Sequence, residues 1–152
     1  MGERLFFPLF FDLSEKTVLV AGGGKIAARR VKTLLPFAGR IVVTAPECTP
    51  ELDELAAQGR IERRIRRFES ADLDGAALVL CATGDEAADA QIRDLCAGRG
   101  IPVNVASDRD KCDFYFPGVA RRGSVVVGVT AGGTDHKKAR EVTEKIRELM
   151  EE

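Results

Sequence analysis

The chain has 152 residues, 45% of them hydrophobic and 31% charged, with a formal net charge of −1; that length suits one compact domain burying roughly 70% of its unfolded surface without staples. So balanced a charge excludes the basic excess of a nucleic-acid binder. The early apolar run, residues 5–11, is too short to span a bilayer and lacks the small-residue cleavage site of a signal peptide, so the expected setting is the cytoplasm, with no membrane partner.

Residues 16–21, Lys-Thr-Val-Leu-Val-Ala, form a β-branched apolar run that stops at three glycines and reads as a buried strand. Residues 25–35 place Ile26, Val31, Leu34 and Leu35 at helical spacing, and Pro36 and Gly39 end that helix. A second strand is expected over 40–45, closed by Pro46. Thr49-Pro50 then supplies an N-cap and an N1 proline for a helix to about Gln58, stopped by Gly59. Residues 61–65 alternate apolar and charged, as a strand near a sheet edge would. A fourth strand over 76–82 buries Cys81, a helix over 85–97 stops at Gly98 and Gly100, and a fifth strand covers 101–106. This alternation predicts an α/β fold, a Rossmann-type doubly wound parallel sheet over residues 1–112.

The remaining residues, 113–152, read differently. Strands over 114–120 and 124–130 flank a connection at Arg121-Arg122-Gly123. A charged helix then runs from about Thr134 to the end, striped by Ala139, Val142, Ile146 and Leu149. An isolated hairpin needs a partner surface, so this part is expected to serve dimerisation, giving a homodimer, and substrate binding. Cys48, Cys81, Cys96 and Cys112 contain no CxxC pair, and His136 is the single histidine; no metal site is expected.

The chemistry-bearing motif is Gly22-Gly23-Gly24-Lys25-Ile26-Ala27, which fits G-x-G-x-x-A between a strand and a helix. Gly22 permits the tight turn, Gly24 lets backbone approach a pyrophosphate, and Ala27 allows the helix to pack closely on the sheet. The helix N-terminus offers unpaired N–H groups to that anion. After the second strand, Pro46 and Glu47 occupy the ribose region. Glu47 reads equally as a ribose ligand and as a surface carboxylate, and with no arginine directly following the strand, NAD is favoured over NADP.

At this point the residues resemble a family. Phe7-Pro8-Leu9-Phe10-Phe11-Asp12-Leu13, Val20-Ala21-Gly22-Gly23-Gly24, Cys81-Ala82-Thr83-Gly84-Asp85, Pro102-Val103-Asn104-Val105, Cys112-Asp113-Phe114-Tyr115-Phe116-Pro117 and Gly132-Gly133-Thr134 are similar, in this order, to the dehydrogenase module of siroheme synthases. The resemblance implies an NAD-dependent oxidoreductase that converts precorrin-2 to sirohydrochlorin in siroheme biosynthesis, with ferrous-iron insertion in some members. It places Thr83 with the cofactor residues. The family reads Asn-Val-Val-Asp where this chain has Asn104-Val105-Ala106-Ser107-Asp108, so Ser107 stands at the family aspartate and Asp108 follows it. Both are carried as catalytic candidates, and ferrochelatase activity is the one this departure endangers. A polycarboxylate macrocycle needs cations and backbone donors, for which Asn104, Arg121, Gly132, Gly133 and Thr134 are the candidates, with Lys137, Lys138 and Arg140 nearby in sequence. Two alternatives stand beside this reading: a nucleotide-sensing regulatory Rossmann domain, and a tetrapyrrole-binding paralogue without dehydrogenase activity.

Overall fold

The computed structural model describes residues 4–151; Met1–Glu3 and Glu152, the outermost residues of the expected domain and of the final helix, lie outside them. The chain divides into two compact units, Phe11–Asp113 and Met1–Phe10 with Phe114–Glu152.

The larger unit contains β1 (Thr17–Ala21), α1 (Lys25–Leu34), β2 (Arg40–Thr44), α2 (Pro50–Ala57), β3 (Glu62–Arg64), β4 (Ala76–Cys81), α3 (Glu86–Arg99) and β5 (Val103–Val105), with a short 3-10 turn at Ser70–Leu73 and another at Arg109–Lys111. All five strands are parallel, in the order β3-β2-β1-β4-β5. Chain order reverses direction between β1 and β4, which makes their carboxyl ends the switch point of a doubly wound sheet. The expected fold class is borne out. Alternate residues face opposite layers. Leu19, Ala21, Val42, Val79, Cys81, Val103 and Val105 pack with Leu73, Ile92 and Cys96, placing α3 on this face. Val18, Val20, Ile41, Val43 and Leu80, of the opposite parity, are equally buried. A bond from Arg30 on α1 to the Asn104 side chain of β5 puts α1 on that second face. Central strands buried on both faces explain the near-continuous Val and Leu runs.

Helix α3 passes through Gly98 and ends at Gly100, which takes the left-handed C-cap (φ 68°). Strand β5 is shorter than expected, because Ile101 and Pro102 lead into it without joining it. Below the sheet edge, buried Asp72 accepts from Arg66 Nη2 (2.7 Å) and Arg64 Nη1 (2.7 Å), and from the Glu69 N–H (2.8 Å). Burial pushes this carboxyl up, but the bonds from Arg66, Glu69 and Arg64 outweigh it and hold the pKa at about 2. With the folded pKa below the ordinary 3.8, the stabilisation is complete above that value and lost as pH falls through about 2. The urea midpoint of Asp72→Asn is therefore expected to lie well below wild type at pH 7, and to converge with it near pH 2; equal midpoints at pH 7 would contradict this.

In the smaller unit, β6 (Gly118–Arg122) and β7 (Val125–Val129) pair antiparallel, followed by α4 (His136–Glu151). Four expectations are corrected here. Residues 114–117 carry no strand, and Pro117 has no N–H to give a ladder. Arg121 and Arg122 lie in β6 opposite Val126 and Val125, which leaves Gly123 (φ 59°) and Ser124 as the turn. The final helix begins after Thr134, because Gly132 and Gly133 are left-handed (φ 70° and 71°) and Asp135 caps it, accepting from the Lys138 N–H at 2.9 Å. The stripe also shifts: Leu149 is 69% exposed, whereas Thr143 is buried and Met150 half-buried, the latter four residues after Ile146. Thr143 closes against Gly118, where a Cβ would overlap its side chain, and Arg147 Nη2 donates to the Val119 carbonyl (2.8 Å). Phe6 stacks on Tyr115 with ring centroids 3.8 Å apart.

Candidate dinucleotide site

The crevice is built where β1 and β4 end side by side. Ala82 N–H donates to the Ala21 carbonyl (2.8 Å), and Gly22 N–H donates to Thr44 (3.0 Å), so three strand ends are stitched at one level. Gly22 has φ 127°, and a Cβ there would overlap the Ala82 carbonyl oxygen. Only glycine satisfies both conditions. A Cβ on Gly23 would overlap the Glu47 carbonyl, because the loop after β2 folds over the glycines and Thr49 N–H donates to the Gly23 carbonyl (2.9 Å). Gly24 meets nothing within 4 Å of a Cβ position; its front is open.

Gly24 is also the N-cap of α1, and there the helices differ. Thr49 caps α2 with its side chain, Asp85 caps α3, and Asp135 caps α4. Helix α1 has no side-chain cap and no acidic residue in its first turn. Its leading N–H groups thus face an open site with the helix's partial positive charge behind them. An anion is what such an end accepts.

The other sequence-predicted cofactor residues surround this end. Lys25, Pro46 and Glu47 are exposed, Ile26 is 43% exposed beside the glycines, and Thr83 is half-buried in the loop after β4. Ala27 is fully buried against the sheet, as close helix–sheet packing requires.

The loop after β5 presents the catalytic candidates. Ser107 is exposed in a turn. Asp108 caps the 3-10 turn, accepting from Asp110 N–H (3.0 Å), and its other oxygen lies 3.6 Å from Lys111 Nζ. Cys112 pins the loop from beneath: its sulfur accepts from the Val105 N–H (3.1 Å), its single S–H is shared between the carbonyls of Val105 (3.2 Å) and Asp108 (3.4 Å), and burial pushes that thiol up. Asn104 is turned inward, 3% exposed, with its amide oxygen accepting from Arg30. Burial, then the neighbouring Arg29, pull the Arg30 guanidinium down. Sequence reasoning missed this pair. The available signal was a cation three residues after Ala27, on the buried side of α1. In the smaller unit Arg121 is exposed on β6 and lines a shallow cleft of about 440 Å³ with Arg122 and Arg147, while Gly132, Gly133 and Thr134 form the turn before α4. Among the described residues, no cluster of three His, Cys, Asp or Glu side chains is placed to hold a metal ion, and no helix is long and apolar enough to cross a membrane.

A parallel sheet with an open glycine turn and an uncapped helix at its switch point defines a dinucleotide-binding fold. Residues 9–118 match the family described as "Putative NAD(P)-binding", and the chain belongs to that family. It is 41% identical over 144 residues to the probable multifunctional siroheme biosynthesis protein HemA of Ruminiclostridium josui, covering 94% of this chain and 28% of that protein. It is 38% identical over 145 residues to the siroheme synthase of Thioalkalivibrio sulfidiphilus, covering 95% of this chain and 30% of that protein. The chain thus spans under a third of the length of these curated relatives. The fold is also that of SirC, a precorrin-2 dehydrogenase, with a TM-score of 0.78 and 24% identity over 96% of this chain and 74% of SirC. The resemblance to the siroheme-synthase module is borne out.

Proposed function

We propose that the chain is a cytoplasmic precorrin-2 dehydrogenase that forms sirohydrochlorin with NAD in siroheme biosynthesis. The observation that carries the dinucleotide half is the uncapped α1 N-terminus behind the open face of Gly24. The substrate half is supported by relatives named for siroheme synthesis along 94% or more of this chain. Bound nicotinamide would supply the hydride acceptor. Gly22, Gly23, Gly24 and the leading N–H groups of α1 hold the pyrophosphate, with Lys25 and Ile26 beside it, Pro46 and Glu47 towards the ribose, and Thr83 across the crevice. NAD rather than NADP fits the exposed Glu47 carboxylate, which accepts hydrogen bonds from a free 2′-hydroxyl and repels a 2′-phosphate. As hydride leaves the macrocycle, a proton leaves too, and the Asp108 carboxylate is its acceptor, with Ser107 beside it. Arg121, Gly132, Gly133 and Thr134 are assigned to the substrate's carboxylates, and Asn104 to holding the β5 end. In this reading residues 1–112 are the NAD-binding domain, and residues 113–152 bind substrate and form a homodimer.

Purified protein given enzymatically generated precorrin-2 is expected to produce sirohydrochlorin absorbance with NAD, and far more slowly with NADP. Light scattering at micromolar concentration is expected to show a dimer. A monomer would remove the dimer alone. Tetrapyrrole binding without turnover would leave a binding paralogue, the reading that the Ser107 substitution favours; dinucleotide binding without tetrapyrrole binding would leave a sensor.

A further inference from the structure

The sequence-predicted site does not use one buried charge that lies beside it. Asp89 is in the first turn of α3 and is 3% exposed, on the helix side that also buries Ile92 and Cys96. Carboxylates are seldom left so deep without a purpose for the fold or the site. Asp85 already caps this helix, with Oδ1 accepting from Ala87 N–H (2.9 Å) and Ala88 N–H (3.2 Å), so Asp89 is surplus to capping.

Its oxygen Oδ1 instead accepts from the Thr83 hydroxyl at 2.6 Å and from the Thr83 N–H at 3.4 Å. The same hydroxyl oxygen accepts from Asp85 N–H (3.1 Å), so Asp89, Thr83 and Asp85 form a chain through the loop after β4. That loop is one wall of the switch-point crevice: the Ala82 carbonyl is the atom that a Cβ on Gly22 would strike. The position of Thr83 therefore sets how closely the loop lies against the glycine turn.

We infer that Asp89 is a positioning residue for the dinucleotide, holding the Thr83 hydroxyl and backbone so that the loop after β4 is preformed as the wall opposite Gly22–Gly24. A preformed wall spares the ordering cost that a loose loop would levy on each binding event. The inference rests on the dinucleotide reading above, and an aspartate or asparagine oxygen serves it, since acceptance of the hydroxyl proton is what positions Thr83.

Calorimetric titration of NAD into the full chain tests it. Asp89→Ala is expected to raise the dissociation constant about 10-fold, the scale of losing one hydrogen bond. Thr83→Val is expected to raise it similarly, and the double variant no further than either single one, because both remove the same link. Asp89→Asn should restore affinity to within about 3-fold of wild type, a rescue that a requirement for the charge would not show. Should Asp89→Ala fail to fold, Thr83→Val and Asp89→Asn still decide: losses in both, or in neither, overturn the inference. Additive losses in the double variant overturn it also. A wild type that binds neither NAD nor NADP removes the dinucleotide reading itself and this inference with it. That outcome is distinct from variants matching a wild type that binds.

Discussion

Gly24→Asp is expected to leave the protein folded and to abolish NAD binding. A Cβ at Gly24 meets nothing within 4 Å, and the backbone there (φ −86°) is open to any L-residue. Aspartate is moreover a favoured N-cap, and α1 lacks a side-chain cap, so thermal stability should hold or rise slightly. The new carboxylate would occupy the anion position at the N–H groups of α1. It would exclude the pyrophosphate both by volume and by charge, raising the dissociation constant by at least about 100-fold. Gly22→Ala is the contrasting variant. There the side chain would strike the Ala82 carbonyl at a positive φ, so the loss would appear as destabilisation of about 2 kcal/mol or more. Calorimetry and thermal unfolding on both variants separate the two roles. A Gly24→Asp protein that binds NAD as wild type does would remove the glycine turn from the site.

The contrast also marks what was legible in the sequence. Every strand of the parallel sheet was visible: β1, β2 and β4 are continuous apolar runs, as strands inside a sheet covered on both faces must be, the edge strand β3 showed as alternation, and the glycines could be placed from their position between a strand and a helix. Less was legible where local and tertiary signals compete. Gly98 reads as a helix stop, yet α3 runs through it and ends at Gly100, where the left-handed C-cap sits. Arg121 and Arg122 read as a connection, yet their backbones complete a five-residue ladder. Thr134 reads as a helix start, but Asp135 is the residue that caps α4. The links supporting the site were invisible for a different reason. Arg30 to Asn104 spans 74 positions, and a pattern of apolar spacing cannot report which polar side chain meets which across a sheet. Asp89 is nearer to legibility, since positions 89, 92 and 96 share one helix side and a carboxylate among Ile92 and Cys96 is out of place there.

Asp108→Asn is expected to lower sirohydrochlorin formation about 100-fold or more, the scale of losing a general base, while NAD affinity stays near wild type. The side chain has the exposure for this work, and one oxygen is committed to the Asp110 N–H while the other stands 3.6 Å from Lys111. Asparagine keeps the cap, with its amide oxygen accepting from Asp110, so the loop should hold its shape and only the proton acceptor is lost. Ser107→Asp is the companion. It restores a carboxylate at the family position, on an exposed turn residue that is free to take one. If turnover falls in Asp108→Asn and returns in the double variant carrying Ser107→Asp, either position serves and the base has moved by one residue along a turn. If Ser107→Asp alone raises turnover or confers iron insertion, the family position is the working one and Asp108 is a cap. Undiminished sirohydrochlorin formation by Asp108→Asn would mean that hydride transfer proceeds by positioning alone, and the assignment of a base on this loop would fall.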